Sequence, residues 1–501
     1  MPRARPAIKW ITDMATFKKY RTSTQFLLFA VAVLALMALR YGTFDVVSNS
    51  LWAEDGAEFY PQALRHGLSS LFIPYSGYLH LFPRLFAIPA TVVSAALIPV
   101  VFFTGWLIST LLLYWSVRKI TLDRPHFALI SVVIPLVALL QPHSGETFLS
   151  LTNAQWWLGC VLAIIASMPW AFGNRSIPVV ALLSLTGPFS ILVLPIAVIQ
   201  CVRHKRYALL GTLAIGAVIQ TAVLLNNPRN VQELDTNIDH WVSCLETFLT
   251  FGSNTLFTRT ASAIFWAGFL ITMVRPSKGS WPLVACGLAA FFAALYSLKG
   301  MPQALSPVFN GGRYFVVPYT LIIIATFNNI RSRSALNVIT LSALAGVLIS
   351  SLHTIQQVDT NYRGYAKFSG FEKELKIPTA PIIDNSNGYS VSLTNTGQQP
   401  GIAIEAADIR PGSTKIAEGI CSDKRNVGYA VSLTLPQGEY VKIKWRREGN
   451  PEFKSVSRYY DAGEARVQIT FTKSKKPVDL FIETTGTRST AAIDKQVVAC
   501  F

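Results

Sequence analysis

The feature that most constrains this chain is a series of apolar blocks that continues to residue 352 and then stops. Short clusters of lysine and arginine separate the blocks. The whole sequence is 51% hydrophobic and only 14% charged, whereas soluble proteins carry roughly 25% charged residues. This pattern predicts a polytopic helical membrane protein that is followed by a polar domain.

The basic residues set the predicted orientation. Residues 1–352 hold 24 of the 44 lysines and arginines, and 17 of those 24 fall on segments that the alternation of the blocks places in the cytoplasm. Such an excess on cytoplasmic loops is the rule for polytopic proteins. The same assignment puts nine of the eleven acidic residues before position 353 on the outer side. We therefore attribute the net charge of +17 to topology, and we expect no nucleic-acid partner.

The blocks predict three regions: a cytoplasmic N-terminus (1–24), a transmembrane domain (25–352) and an external C-terminal domain (353–501). We expect nine full spans in the transmembrane domain. The spans are Gln25–Tyr41, Pro99–Val117, Phe127–Leu140, Trp156–Ala171, Tyr207–Leu225, Ala261–Val274, Trp281–Leu298, Tyr314–Phe327 and Ala335–Leu352. The predicted external loops are 42–80, 141–155, 226–259 and 299–313.

Two segments do not fit a simple span. Ile177–Cys201 has basic residues on both flanks and is broken by Thr186-Gly187-Pro188, so each half is too short to cross and we predict a re-entrant hairpin. Residues 79–96 are apolar but contain two prolines and Arg84, so they form either a full span or an interfacial helix. The charges on either side require one crossing between residues 80 and 118, which favours the interfacial helix.

The polar C-terminal domain has the alternation of β-strands. β-Branched and aromatic residues recur at every second position in four runs, which are Tyr429–Leu435, Tyr440–Trp445, Arg466–Phe471 and Val478–Glu483. This period predicts an antiparallel β-sandwich. Cys421 and Cys500 lie in the same domain, and a disulfide between them is an option if the domain is outside the cytoplasm.

The densest group of acidic residues follows the first apolar block. Glu54, Asp55 and Glu58 stand within five positions. Acids close to a bilayer are costly, and those that occur there usually bind a ligand or move a proton. We interpret these residues as part of a catalytic loop on the outer side. The alternative is that Glu54 and Asp55 are the N-terminal acids of an interfacial helix, whose dipole favours negative charge there.

Four stretches resemble the polytopic GT-C glycosyltransferases. They are Trp52-Ala53-Glu54-Asp55-Gly56, Gly77-Tyr78-Leu79-His80-Leu81-Phe82-Pro83-Arg84-Leu85, Thr152-Asn153-Ala154-Gln155-Trp156 and Gly312-Arg313-Tyr314. Within that group the chain looks most similar to the phage-type serotype-converting O-antigen glucosyltransferases of bacteria. The resemblance covers residues 1–352 and does not extend to the C-terminal domain.

The resemblance implies an enzyme of the bacterial inner membrane that moves glucose from undecaprenyl phosphate to the O-antigen of lipopolysaccharide in the periplasm. The catalytic base would be an acid of the first external loop, which maps onto Asp55 or Glu54. Members of the group differ in whether a metal assists, so a divalent metal is an open alternative and no other cofactor is expected. The candidate substrate-binding residues are Trp52, Glu58, His80, Arg84, Glu146, Asn153, Trp156, Arg313 and Tyr314.

Each candidate also has a plainer interpretation. Arg84 and Arg313 suit the phosphate of a lipid donor because arginine presents paired donors to phosphate oxygens, but both could instead anchor the chain at the headgroups. Trp52 and Trp156 fit the aromatic belt of a membrane protein as well as they fit a sugar site. His80 is either a further phosphate ligand or an ordinary interface residue.

Two other functions share some of these features. A transporter or flippase of a lipid-linked sugar would have internal repeats and discontinuous helices in both halves, whereas the sequence has one broken segment and no repeat. A polysaccharide polymerase or ligase also uses lipid-linked substrates, but the basic residues of large external loops would then dominate. The acidic first loop favours glycosyl transfer over both alternatives.

Cysteine labelling tests the predicted orientation. Ser69→Cys and Ser386→Cys lie on predicted external segments, so both should react with a membrane-impermeant thiol reagent added to intact cells. Ser332→Cys lies on a predicted cytoplasmic loop and should stay unlabelled. The labelling of each variant is compared with that of the wild-type protein, which accounts for the six native cysteines. Labelling of Ser332→Cys from outside would reverse the charge-based orientation.

Overall fold

The computed structural model describes residues 24–39, 52, 54–93, 97–122, 127–141, 146–227, 233–252, 255–300, 302, 305, 311–330 and 335–360, together with nine strands between 402 and 500. By its contacts the chain divides into two compact units. The helical unit consists of Met1–Gly42, Leu71–Pro83 and Thr104–Asp359. The mixed unit consists of Thr43–Ser70, Arg84–Phe103 and Thr360–Phe501.

The described part of the chain is mostly helical. The helices are α1 (Thr24–Leu39), α2 (Tyr60–His66), α3 (Leu81–Ala90), α4 (Ile98–Thr121), α5 (Phe127–Leu139), α6 (Ala154–Ser167), α7 (Ile177–Ser184), α8 (Phe189–Arg203), α9 (Tyr207–Asn226), α10 (Ile238–Leu249), α11 (Leu256–Met273), α12 (Ser280–Ser297), α13 (Arg313–Asn329) and α14 (Ala335–Thr360). Each block predicted as a span contains one of these helices.

Four helices of the described chain, α4, α9, α11 and α12, are long and apolar enough to cross a membrane. Their outward side chains are large and apolar. Ile215 is 64% exposed, Val218 68% and Leu270 63%. Apolar surface of this kind needs a non-aqueous environment. These are the features of a membrane-embedded helical protein, as the apolar blocks predicted.

Helices α6 and α13 form the centre of the helical unit. Almost every side chain from Ala154 to Ser167 is buried, and so are those from Phe315 to Thr326. A helix that is apolar on all sides has no face to present to water, so it is covered by its neighbours. α13 packs along α12 and against α6, while α8 packs against α6 and α9.

The predicted break in Ile177–Cys201 is confirmed. The segment forms α7, of eight residues, and α8, of fifteen, which are separated at Thr186, Gly187 and Pro188. Gly187 has a φ of 79°, a value that other residues rarely adopt. About 20 helical residues are needed to cross a bilayer, so neither helix is long enough alone.

Residues 79–82, which come just before and at the start of α3, form hydrogen bonds with the residues of this break. The N–H of Gly187 donates to the carbonyl of Leu79 at 2.9 Å, and the N–H of Leu81 donates to the carbonyl of Leu185 at 3.1 Å. The N–H of Phe82 donates to Thr186 Oγ1 at 3.1 Å. Lipid offers no hydrogen-bond partners, so a broken backbone inside a membrane protein must find them within the protein.

A polar side chain from a candidate span completes the same contact. Gln220 of α9 is fully buried. Its Oε1 accepts from the N–H of Leu79 at 2.9 Å, and its Nε2 donates to the carbonyl of Leu79 at 3.1 Å. Both ends of the amide are therefore used, which offsets the cost of burying it. The contact fixes residues 79–82, α9 and the α7–α8 break to one another.

One helix replaces part of a predicted loop. The sequence analysis assigned 226–259 to an external loop, but α10 occupies its middle. Asn237 caps this helix, since its side chain accepts from the N–H of Asp239 at 3.0 Å. Phe248 of α10 is buried and stacks on Phe291 at 4.3 Å and on Tyr319 at 5.1 Å between ring centroids. The predicted external segment therefore contains a helix, which this aromatic packing favours.

The C-terminal strands form two antiparallel sheets. The strands are β1 (Ile402–Ile404), β2 (Asp408–Ile409), β3 (Gly412–Ile420), β4 (Val427–Leu435), β5 (Glu439–Arg447), β6 (Lys454–Tyr460), β7 (Gly463–Phe471), β8 (Val478–Thr484) and β9 (Ala491–Cys500). One sheet has the order β1-β9-β4-β7, with β2 also beside β9, and the other has the order β3-β8-β5-β6.

The four alternating runs coincide with β4, β5, β7 and β8, so those strand predictions are confirmed. In the second sheet Ile443 pairs with Ile482, which puts Ile482 on the same face as Val441 and Trp445. All of Val441, Trp445 and Ile482 are buried. On the opposite face the paired Arg446 and Asp479 form an ion pair at 3.1 Å. The predicted Cys421–Cys500 bond lies outside the described residues.

Two glycines of α9 give a matched test of the packing between α7 and α9. A Cβ on Gly216 would stand 2.2 Å from Ser184 Oγ and 2.4 Å from Ser184 Cβ, whereas a Cβ on Gly211 would meet nothing within 4 Å. Overpacking costs about 1–3 kcal/mol, so Gly216→Ala should lower the midpoint of thermal unfolding in detergent. Gly211→Ala should leave it unchanged or raise it. Equal midpoints for the two variants would contradict this packing.

Candidate functional site

The acidic stretch is helical where the sequence analysis expected a loop. Glu54 precedes a π-helical turn, Asp55–Phe59, which continues directly into α2. Glu54 is 7% exposed and Asp55 only 1%. A carboxylate at a helix N-terminus is favoured by the helix dipole, so the helical alternative describes the backbone correctly. Single π-helical turns are rare and recur at functional sites.

Arg84 joins this helix from α3 and is fully buried. Its Nη2 donates to Gln62 Oε1 at 2.8 Å, and Gln62 Nε2 donates to Glu58 Oε2 at 3.0 Å. The guanidinium carbon lies 4.9 Å from the ring centroid of Phe59. Gln62 therefore links the buried cation to one of the three acids through two hydrogen bonds. We call Glu54, Asp55, Glu58, Gln62 and Arg84 the acid–arginine cluster.

The guanidinium of Arg84 is charged and keeps N–H groups that are available to a ligand. Burial lowers the pKa of Arg84 to about 10, while the negative charge of Glu58 raises it, so the guanidinium stays protonated at neutral pH. Among the described residues, Arg84 Nε and Nη1 have no hydrogen-bond partner, and neither has Glu54 Oε2. Unmade hydrogen bonds of buried charged groups are costly. A phosphate, whose oxygens accept hydrogen bonds from arginine, would satisfy the donors of Arg84, and the hydroxyl of an acceptor sugar would satisfy Glu54 Oε2.

Glu146 and Arg313 meet in the helical unit. Glu146 Oε2 accepts from the backbone N–H of Arg313 at 3.1 Å, and Oε1 lies 3.7 Å from Arg313 Nη1. Arg313 is the first residue of α13, so the carboxylate sits at the positive end of that helix dipole. The Glu146 side chain is 12% exposed and that of Arg313 30%. The two residues that the sequence analysis proposed separately thus form one ion pair.

Three more candidates surround this pair. Asn153 Nδ2 donates to the backbone carbonyl of Glu146 at 3.0 Å, which holds the chain that carries the acid. The ring of Trp156 lies edge-on to Tyr314, with 5.1 Å between centroids. In the described chain, the indole N–H of Trp156 is buried without a hydrogen-bond partner. The helical unit therefore gathers Glu146, Asn153, Trp156, Arg313 and Tyr314 into one group, which we call the α13 cluster.

His80 lies apart from that group, beside the α7–α8 break. It is fully buried and its backbone bridges to Thr186. Its ring centroid is 5.5 Å from that of Tyr75 and 4.9 Å from that of Tyr78. An aromatic surrounding of this kind suits a packing residue. His80 thus belongs to the contact that closes the break, in addition to any role with substrate.

The candidates occur in both units. The acid–arginine cluster is in the mixed unit, and Trp52 is joined to it by the N–H of Gly56, which donates to the Trp52 carbonyl at 3.0 Å. The α13 cluster and His80 are in the helical unit. The sequence analysis missed Gln62. Its position four residues after Glu58 on a helix is the signal that could have identified it.

No group of three or more histidine, cysteine, aspartate or glutamate side chains suited to a metal ion occurs among the described residues. No family model matches this chain, and neither does any curated protein or solved structure. Its function must therefore be inferred from the chemistry of the two clusters.

Glu146 offers a test of the α13 cluster. Glu146→Gln removes the negative charge from the α13 N-terminus and breaks the ion pair, and a charge in such a position contributes about 0.3–1 kcal/mol, or up to 2 when partly buried. Unfolding in denaturant should show a loss of that size. Arg313→Met should cost less, because the bond from its backbone N–H remains. Glu233→Gln, at an exposed loop acid, is the control, and a loss as large as that of Glu146→Gln would refute this account.

Proposed function

We propose that this protein is a GT-C-type membrane glycosyltransferase. It moves a sugar, which the resemblance suggests is glucose, from a polyprenyl-phosphate donor to a surface polysaccharide such as O-antigen. The observation that supports this most is the acid–arginine cluster, in which the buried Arg84 keeps donors suited to phosphate and is linked through Gln62 to the helix that carries the three acids. Acids and a phosphate-binding cation are the parts that this reaction needs.

The proposed reaction is a direct displacement at the anomeric carbon. Asp55 or Glu54 accepts the proton of an acceptor hydroxyl as its oxygen bonds to the anomeric carbon. The bond from that carbon to the donor phosphate oxygen breaks, and its electron pair leaves with the polyprenyl phosphate. Arg84 stabilises the charge that develops on the departing phosphate. Gln62 and Glu58 hold the guanidinium in place.

Within the helical unit, the α13 cluster is a separate candidate for contact with substrate. Trp156 and Tyr314 offer aromatic faces and one buried indole N–H, and amphipathic rings of this kind suit a sugar, which has apolar faces and hydroxyl edges. Arg313 contributes positive charge for the lipid phosphate, and Glu146 orients it. His80, beside the α7–α8 break, is a further candidate for contact with substrate in the helical unit.

The proposed architecture has nine full spans, with α7 and α8 as a re-entrant hairpin and a cytoplasmic N-terminus. The presence of a helix in every predicted span supports it. The two C-terminal sheets form a β-sandwich, and this domain, 353–501, lies in the periplasm with the catalytic acids. The bacterial inner membrane is the location, since lipid-linked donors replace nucleotide sugars on that side.

A lipid-linked sugar transporter is the second candidate, because the broken α7–α8 segment is a feature of transporters. The two functions differ in what the acids do. A transporter needs no base, so its activity would survive conservative loss of the carboxylates while the sugar stays on its carrier.

Substitution of the acids separates these functions. Asp55→Asn and Glu54→Gln keep the shape of the side chains but remove a base, and general-base catalysis typically contributes about 10²–10⁴-fold to the rate. Transfer should be measured in proteoliposomes with polyprenyl-phosphate-linked glucose and an O-antigen acceptor. The transfer rate of one of the two variants should fall by this factor at normal protein level, with Asp239→Asn, at an exposed acid of α10, as the control. Near-wild-type transfer by both variants would exclude this helix as the catalytic centre, whereas no transfer by the wild-type protein would favour the transporter.

Two arginines test the phosphate role. Arg84→Lys keeps the charge but loses the paired donors, so it should raise the KM for the lipid donor more than the KM for the acceptor. Arg65→Lys, at an exposed arginine of α2, is the matched control and should change neither. If Arg84→Lys alters the two KM values equally, Arg84 does not bind the donor phosphate.

A further inference from the structure

A groove with a basic rim lies on the helical unit, at a place that the proposed reaction does not use. Its volume is about 860 Å³. It is found where α4 ends and where α1, α7 and α9 begin, because its walls include Phe26, Trp115, Val179 and Arg206. Helix ends that meet in this way mark one surface of the membrane.

The apolar wall of the groove runs along a candidate span. Ile108, Leu111, Leu112 and Trp115 follow one another at helical spacing on α4, and Lys119 continues the same stripe. The stripe covers the twelve residues from Ile108 to Lys119, which is about 16 Å of helix. Along α4, apolar side chains are therefore followed by a positive charge. This order matches a lipid with a negative headgroup, because the apolar side chains can contact its acyl chain and Lys119 can contact its headgroup.

The rim carries three cations. Lys119, Arg175 and Arg206 all line the groove, and none of its lining residues is acidic. Within the described chain none of the three forms an ion pair, and Arg206 has a hydrogen bond to a carbonyl, from Nη2 to Trp170 O at 3.4 Å. Unpaired cations around an apolar groove are complementary to an amphiphile with a negative headgroup. Basic pockets between transmembrane helices bind anionic lipid headgroups in this way.

We propose that this groove binds an anionic diacyl phospholipid, with its phosphate at Lys119, Arg175 and Arg206 and an acyl chain along α4. The lipid would join α1, α4 and the start of α7 at this membrane surface. The choice of a bulk phospholipid over the sugar donor rests on the proposed topology, in which the donor reacts at the opposite surface. Binding itself does not depend on glycosyl transfer and is measured without it.

Native mass spectrometry of the full chain in detergent, titrated with phosphatidylglycerol or phosphatidylcholine, tests the headgroup contact. The triple variant Lys119→Gln, Arg175→Gln and Arg206→Gln should bind phosphatidylglycerol roughly 100-fold more weakly. The control triple variant Arg203→Gln, Lys205→Gln and Arg275→Gln removes the same charge at exposed residues outside the groove. It should bind like the wild type. Equal affinities of the two triple variants, or equal wild-type affinities for the two lipids, would overturn the proposal.

Competition and fluorescence decide between occupants. Displacement of phosphatidylglycerol by inorganic phosphate would show a simple anion site, and preferential displacement by polyprenyl phosphate would show a donor site; either result overturns the assignment. Brominated phosphatidylglycerol should quench wild-type tryptophan fluorescence more than that of Trp115→Phe, because Trp115 lines the groove. Equal quenching of the two proteins would place the lipid elsewhere. This measurement needs no change to the basic rim, so it stands even if the triple variant fails to fold.

Discussion

The helical unit depends on one requirement of a membrane interior: each backbone polar group must find its partner within the protein. The break between α7 and α8 exposes such groups, and Leu79, Leu81 and Phe82 bond to its residues. Gln220 in turn bonds to the backbone of Leu79. This contact fixes the segment that enters α3. The path of the chain into α3 therefore follows from the way a distant helix is interrupted.

Buried charge organises both clusters, and it does so by different means. Arg84 is held by a neutral amide, Gln62, that passes its hydrogen bond on to Glu58. This arrangement keeps the guanidinium charged while some donors are left for a ligand. Glu146 instead sits at the end of a helix dipole and pairs with Arg313. The first arrangement suits transient binding of an anion. The second suits a permanent ion pair that stabilises the start of α13.

The sequence predicted those features that composition and local pattern determine. Apolar length located the helices, Thr186-Gly187-Pro188 located the break, and two-residue alternation located four strands. Features that depend on tertiary contact were missed. The role of Gln62 needs Arg84 to arrive from another helix, α10 needs the aromatic rings around Phe248, and strands such as β9 lack strict alternation and are fixed by pairing with β4. The pairing of Glu146 with Arg313 spans 167 residues, so no local pattern could reveal it.

The contact between Leu79 and Gln220 also has a consequence for biosynthesis. The two residues are 141 positions apart, and chains are made at about 5–20 residues per second. Roughly 7–30 seconds thus separate the emergence of the loop from that of its partner. During this interval the polar groups of Leu79 cannot enter lipid and must stay hydrated or be shielded by the insertion machinery. The last step in assembling this region is therefore the arrival of α9, long after the proposed catalytic acids have been synthesised.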